Sequence, residues 1–232
     1  MKTTLSRVGA LTLIFSVAAL AMVSCTRSGS AERKDATVDV STNQNAPATW
    51  TPIDAAALSP QQILQRDHAV AARDAMFRQL FTRLSEAMQT PGPDGAPVGP
   101  AGAIGVCHEE APAIARAIGQ EMGVSIGRTS DRLRNPANTA PAWTATLLES
   151  RPDQPRFATS TDGSLGMTMP IKLGANCLAC HGPTEQIAPP VRQAIAKLYP
   201  HDAAVGYAAG DIRGWFWVEV PQVINVAKPG RP

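Results

Sequence analysis

No single sign of charge dominates this chain. Its 21 basic and 19 acidic residues leave a formal net charge of +2, too weak a field to suggest a nucleic-acid partner. No long apolar run recurs after residue 23, so no integral membrane domain is expected where about 20 consecutive apolar residues are wanted. No internal repeat is present. Cysteine is sparse: Cys25, Cys107, Cys177 and Cys180 are the four. Two of them form one CxxC motif, one ends an apolar leader and one stands alone, so no structural disulfide framework is needed.

What is present begins with an address. Lys2 and Arg7 precede or open an almost wholly apolar stretch from Val8 to Val23, the pattern of an export signal over residues 1–24. Met22-Val23-Ser24-Cys25 resembles a bacterial lipobox, in which the cysteine becomes the lipidated first residue of the mature protein. The expected product is periplasmic and anchored through lipid on Cys25, and Thr26 in place of an acidic residue favours the outer membrane. The alternative is simple cleavage that leaves Cys25 as a thiol, without a partner in an oxidising compartment. Residues 25–58 are rich in Ser, Thr, Asn, Ala and charge and lack hydrophobic periodicity, as a flexible tether does. Residues 59–232 suit one domain with a single core.

Within that domain, Ile63, Val70, Phe77, Leu80, Phe81, Leu84 and Met88 recur at helical spacing and predict a long amphipathic helix over residues 60–89. Pro91-Gly92-Pro93-Asp94-Gly95 ends it, and the stretch through Gly102 reads as loop. Ala103 to Val106 is a short apolar run leading to Cys107, followed by a second helix over residues 109–120. Residues 124–129 read as strand, residues 143–150 as a short helix, and residues 156–161 and 165–173 as a hairpin around Asp162-Gly163. A helix over 190–199 and an aromatic, β-branched strand over 214–220 close the domain. The order predicts an α+β fold built on an antiparallel sheet.

Asn176-Cys177-Leu178-Ala179-Cys180-His181-Gly182 carries the chemistry. Two thiols separated by two residues can add across the two vinyl groups of one porphyrin edge, and the next imidazole reaches the iron as proximal ligand. The expected cofactor is one covalent haem c on Cys177 and Cys180, with His181 on the iron. The rivals are zinc held by Cys107, Cys177, Cys180 and His181, and a thioredoxin-like dithiol. Export together with a histidine directly after the motif argues against both. For the other axial position the residues present are Cys107, His108, Met167, Met169 and His68. Position alone ranks Cys107 narrowly first, because it has no other partner and stands beside a helix start that favours thiolate.

Ala103-Ile104-Gly105-Val106-Cys107 with Ala111-Pro112-Ala113-Ile114-Ala115, then Gly127-Arg128-Thr129-Ser130 with Leu133-Arg134-Asn135-Pro136, then CLACHG and GYAAGDIRGWFWVEV, resemble a bacterial haem-c family with a PAS-like fold. That family was long a domain of unknown function, and its members occur alone and as sensory parts of histidine kinases and chemoreceptors. The resemblance covers nearly all of residues 60–220. It implies a PAS-like antiparallel sheet with flanking helices, here preceded by the long helix, and Cys107 as the axial ligand opposite His181. Arg128, Arg132 and Arg134 are then candidates to bind the haem propionates, because a guanidinium matches a carboxylate bidentately. Two protein ligands saturate the iron and favour low-potential electron transfer with an unidentified redox partner protein. The alternative is a redox or gas sensor in which Cys107 is displaced. Peroxidase-like catalysis would need an open iron site, and no feature compels it.

Overall fold

The structure is a computed structural model and describes residues 48–224. The export signal, Cys25 and most of the expected tether lie outside the described residues. Five strands form one antiparallel sheet in the order β1-β3-β4-β5-β2: β1 is Trp50–Ile53, β2 Ser125–Thr129, β3 Arg156–Ser160, β4 Leu165–Lys172 and β5 Ile212–Val220. The helices are α1 (Pro60–Gln89), α2 (Pro100–Gly105), α3 (Ala111–Met122), α4 (Thr144–Leu148), α5 (Leu178–His181) and α6 (Pro189–Leu198). With the long helix first and shorter helices flanking the sheet, this is the PAS-like α+β architecture that the sequence predicts.

Helix α1 begins where its sequence says it must. Ser59 and Gln62 form a capping box, with Gln62 Oε1 2.9 Å from the Ser59 N–H and Pro60 in the first turn. The helix packs on the sheet through small side chains, Ala69 and Ala72, and through Met76 and Leu80. Gln65 is fully buried and donates from Nε2 to the carbonyls of Gly163, Val220 and Pro221, each at 3.1 Å. One amide thereby locks α1 to the β3–β4 turn and to the end of β5. The large apolar side chains expected to form the buried stripe divide: Leu80 is buried, whereas Phe77 and Phe81 stack on each other at 5.2 Å and stay 45% and 40% exposed.

On the sheet face under α1 and α3, Phe157, Leu165, Met167, Met169, Phe216, Val218 and Val220 make the main core. The opposite face is tryptophan-rich. Trp50 and Trp143 stack at 5.1 Å over Gly166, with Trp217 beside them. Alternation along β4 and β5 sends successive side chains to these two layers, so the middle of β4 is buried on both sides.

Two segments differ from expectation. The last part of the expected tether supplies β1, an edge strand paired with β3 from Trp50↔Ser160 to Ile53↔Phe157. The Pro/Gly-rich stretch expected to be irregular becomes helical from Pro100, because Gly99 takes a positive φ (63°, ψ −154°) open to glycine and Pro100 is the first helical residue. Ile104 of α2 then buries against Ile187, Val191 and Ile195 of the α6 region, and that tertiary contact holds a helix too short to persist alone.

The glycine beneath the tryptophan stack gives a direct test. A Cβ on Gly166 would lie 2.8 Å from Trp143 Cζ3 and 3.0 Å from Trp50 Cζ3. Gly166→Ala is expected to destabilise the protein by about 1–3 kcal/mol in urea unfolding. Gly105→Ala, at helical φ with nothing within 4 Å of the new methyl, is expected to be neutral or stabilising by up to about 1 kcal/mol.

Candidate functional site

Residues 175–177 form a single 3-10 turn that runs into α5, so the CxxCH motif lies on a helical coil. Positions i, i+3 and i+4 of such a coil share a face. Cys177, Cys180 and His181 therefore present together to a cavity of about 480 Å³ bounded by α1, α2, the start of α5, and strands β2 and β5. Its walls are mainly apolar, with Phe77, Phe81, Leu84 and Phe216 among them, and its volume is that of a site for a sizeable organic ligand.

Cys107 lines the same cavity from the turn between α2 and α3. It sits in a π-helical turn, Val106–Glu110, inserted between α2 and α3, where the Ala111 N–H reaches back to the Val106 carbonyl. Such wide turns recur at functional sites because they re-aim one side chain. Burial pushes the Cys107 thiol pKa up, opposed by the nearby positive charges of Arg128, Arg134 and Arg213. Burial raises the pKa of Cys180 also.

The geometry of His181 selects one tautomer. Its Nδ1 lies 2.8 Å from the Ala204 carbonyl oxygen, which can only accept, so Nδ1 carries the proton and Nε2 keeps its lone pair. Burial, with repulsion from Arg134 and Arg213, takes the ring's pKa down to about 3. A neutral imidazole with one nitrogen tied to a backbone carbonyl is the form in which histidine ligates metals.

The three thiols and the imidazole surround a space without converging on a point. Among the described residues no three His, Cys, Asp or Glu side chains lie close enough together to hold a metal ion. This spacing does not make the four-ligand zinc cluster. The lining combines mainly apolar walls with three thiols and an imidazole nitrogen, a set whose chemistry suits a largely apolar group held by sulfur and nitrogen.

The other candidates for the second axial position lie elsewhere. Met167 and Met169 are core residues, 3% and 2% exposed. His68 Nε2 is 2.7 Å from the Met122 carbonyl. His108 is exposed and packs edge-on against Tyr199.

The arginines divide by partner. Arg134 is buried and forms an ion pair with Asp202 at 3.0 Å, while its Nη2 also donates to the carbonyls of Cys180 at 2.6 Å and Ala204 at 3.2 Å. Arg132 is not part of the cavity wall. It donates to the carbonyls of Ala203 and Val205 and lies over the Tyr207 ring at 4.3 Å. Arg128 lines the cavity, as does Arg213, a residue to which the sequence assigned no role. Arg213 lies inside the GDIRGWFWVEV stretch, whose aromatic pattern announces a strand and conceals the charge.

A five-stranded antiparallel sheet under a long helix, with a cavity between the helices and the sheet, defines a PAS-like α+β domain. The chain belongs to the Tll0287-like family, whose model, described as Tll0287, matches residues 31–221. Among solved structures it is similar to that titled "Crystal structure of the cyanobacterial heme-protein Tll0287", with a TM-score of 0.51 and 23% identity over 72% of this chain and 99% of that one. At that identity the likeness is one of fold. No curated protein matches the chain.

Arg134→Met would strand the Asp202 carboxylate, whose side chain is 8% exposed. Breaking a buried pair from one side is expected to destabilise the protein by about 3–5 kcal/mol. The double variant Arg134→Met/Asp202→Asn, which keeps an acceptor for the Ala204 N–H, should recover part of this in chemical denaturation.

Proposed function

We propose that the chain is an exported c-type haem protein whose one haem is attached to Cys177 and Cys180 and held on the iron by His181 and Cys107. The observation that carries the reading is that all four side chains line one cavity, with His181 Nε2 left free by the Nδ1 bond to Ala204. Family membership, and a solved haem protein of the same fold, support haem as the ligand. The haem would supply the electron-accepting and gas-binding iron. The protein's part would be to fix the imidazole, supply the Cys107 sulfur and surround the group with an apolar wall that includes Leu84 and Phe216.

The role that fits best is a redox or gas sensor in which Cys107 is the exchangeable ligand. Cys107 stands on a π-helical turn between two helices, so a change at its sulfur acts directly on α2 and α3. Electron transfer to a redox partner protein is the second reading, favoured by the exposure of Phe77 and Phe81 on the cavity wall. Neither role is enzymatic. The export signal and Cys25 add a periplasmic location with a lipid anchor.

Production alongside c-type haem maturation is expected to give a protein heavier by one haem, with a c-type pyridine haemochrome spectrum. Cys177→Ala/Cys180→Ala should lose covalent haem, and purification with zinc and no haem would end the reading. Cys107→Ala is expected to abolish a low-spin thiolate signature in the ferric EPR spectrum; an unchanged spectrum removes Cys107 from the iron. Stoichiometric CO or NO binding to the ferrous form supports the sensor, and a ferrous form inert to both supports the carrier. Cys25→Ser should release the protein from the membrane fraction without altering its haem spectrum.

A further inference from the structure

Three arginines line the cavity and a fourth, Arg132, lies outside its wall; two of the lining three meet no carboxylate among the described residues. Arg134 is paired with Asp202, and Arg132 is spent on backbone carbonyls and on the face of Tyr207. Arg128 and Arg213 meet no carboxylate among the described residues. Arg213 makes one hydrogen bond there, from Nη1 to the Arg132 carbonyl at 3.0 Å, and its guanidinium lies 5.8 Å from the centre of the Tyr207 ring. Arg128 makes none within hydrogen-bond distance, although it stands on β2 opposite Phe216 in the sheet register. Both line the same cavity.

We infer that Arg128 and Arg213 form a two-guanidinium clamp for the carboxylates of the cavity's ligand, which on the reading above are the propionates of the haem. The clamp replaces the set Arg128, Arg132 and Arg134 that the sequence suggested.

A guanidinium is not deprotonated in a protein, so it must be solvated or paired. Burial works against the charge on both residues and lowers their pKa values. Two cations facing one apolar-walled space, each with donors unused, repel each other until an anion enters. A dianionic ligand that is otherwise flat and apolar satisfies both the guanidiniums and the hydrocarbon wall. Two carboxylates on one macrocycle edge have that chemistry.

The inference rests on the haem reading, so covalent haem is measured first on the wild-type holoprotein. Resonance Raman spectra then follow the propionate-bending band in Arg128→Met and Arg213→Met, with exposed Arg156→Met as control. Each cavity variant is expected to shift that band and lower the midpoint potential, since a positive charge near the iron is lost. Arg128→Lys and Arg213→Lys should recover part of both changes, and these charge-conserving variants carry the test if a methionine variant does not fold. The control should match wild type, and added succinate should change nothing.

A wild type without covalent haem overturns the reading and the clamp together. Covalent haem with the propionate band unmoved in both variants overturns the clamp alone. If Arg128→Met weakens only the iron–thiolate signature, Arg128 serves Cys107 and the paired assignment fails. Saturable spectral shifts with succinate, lost in the variants, would make the anion an external dicarboxylate and overturn the assignment to propionates.

Discussion

The contact on which the site depends is the group of bonds around the Arg134 guanidinium. It joins three chain segments that are remote in sequence: the β2–α4 connection, the CxxCH turn and the loop after α6. The same Ala204 carbonyl that accepts from Arg134 also accepts from His181 Nδ1. Asp202 closes the set by accepting from Arg134 and from the Ala204 N–H at 2.9 Å. Two more backbone bonds, Gly206 N–H to the Gly182 carbonyl and Tyr207 N–H to the His181 carbonyl, wrap the loop around the motif. A buried ion pair contributes little net stability against an apolar replacement of the same shape. Its value here is geometric, because it fixes which imidazole nitrogen faces the cavity.

That division of labour explains why four arginines near one pocket are not equivalent. A cation already surrounded by acceptors is part of the scaffold, whereas one lining an apolar-walled cavity is part of the binding surface. Sequence shows the guanidiniums and not their partners. Asp202 is 68 positions from Arg134, and nothing local to either residue signals the pairing.

The elements legible in the sequence are those whose signals are local. The apolar period and the following Pro91 delimit α1, and Asp162-Gly163 sets the hairpin, with Gly163 at φ 82° and Ser164 N–H bonded to the Asp162 side chain. The CxxCH turn is local by construction. What was hidden depends on tertiary contact: α2 becomes a helix through Ile104 packing on α6, and β1 is four residues that mean little until β3 lies beside them. The face that α1 buries was also misjudged from side-chain size. Alanines meet the sheet, and this close approach leaves the bulky Phe77 and Phe81 to build the cavity wall.

The π-helical turn at Cys107 depends on the same tertiary contacts. Ordinary helix is the better hydrogen-bonded state, so a π-turn persists only where packing on either side holds it. On one side Ile104 is fixed against α6; on the other Ile114 and Ile118 are fixed in the main core, and Arg83 of α1 bonds Glu110 at 2.7 Å. The helix is thus anchored at both ends and wide in the middle, with Cys107 at the wide point facing the CxxCH turn. His181 by contrast is pinned by a backbone carbonyl inside a ring of buried bonds. Of the two side chains proposed to meet the iron, one is held by a rigid frame and the other by a turn that can relax, so a change in the iron's ligation would be taken up on the Cys107 side and passed to α2 and α3.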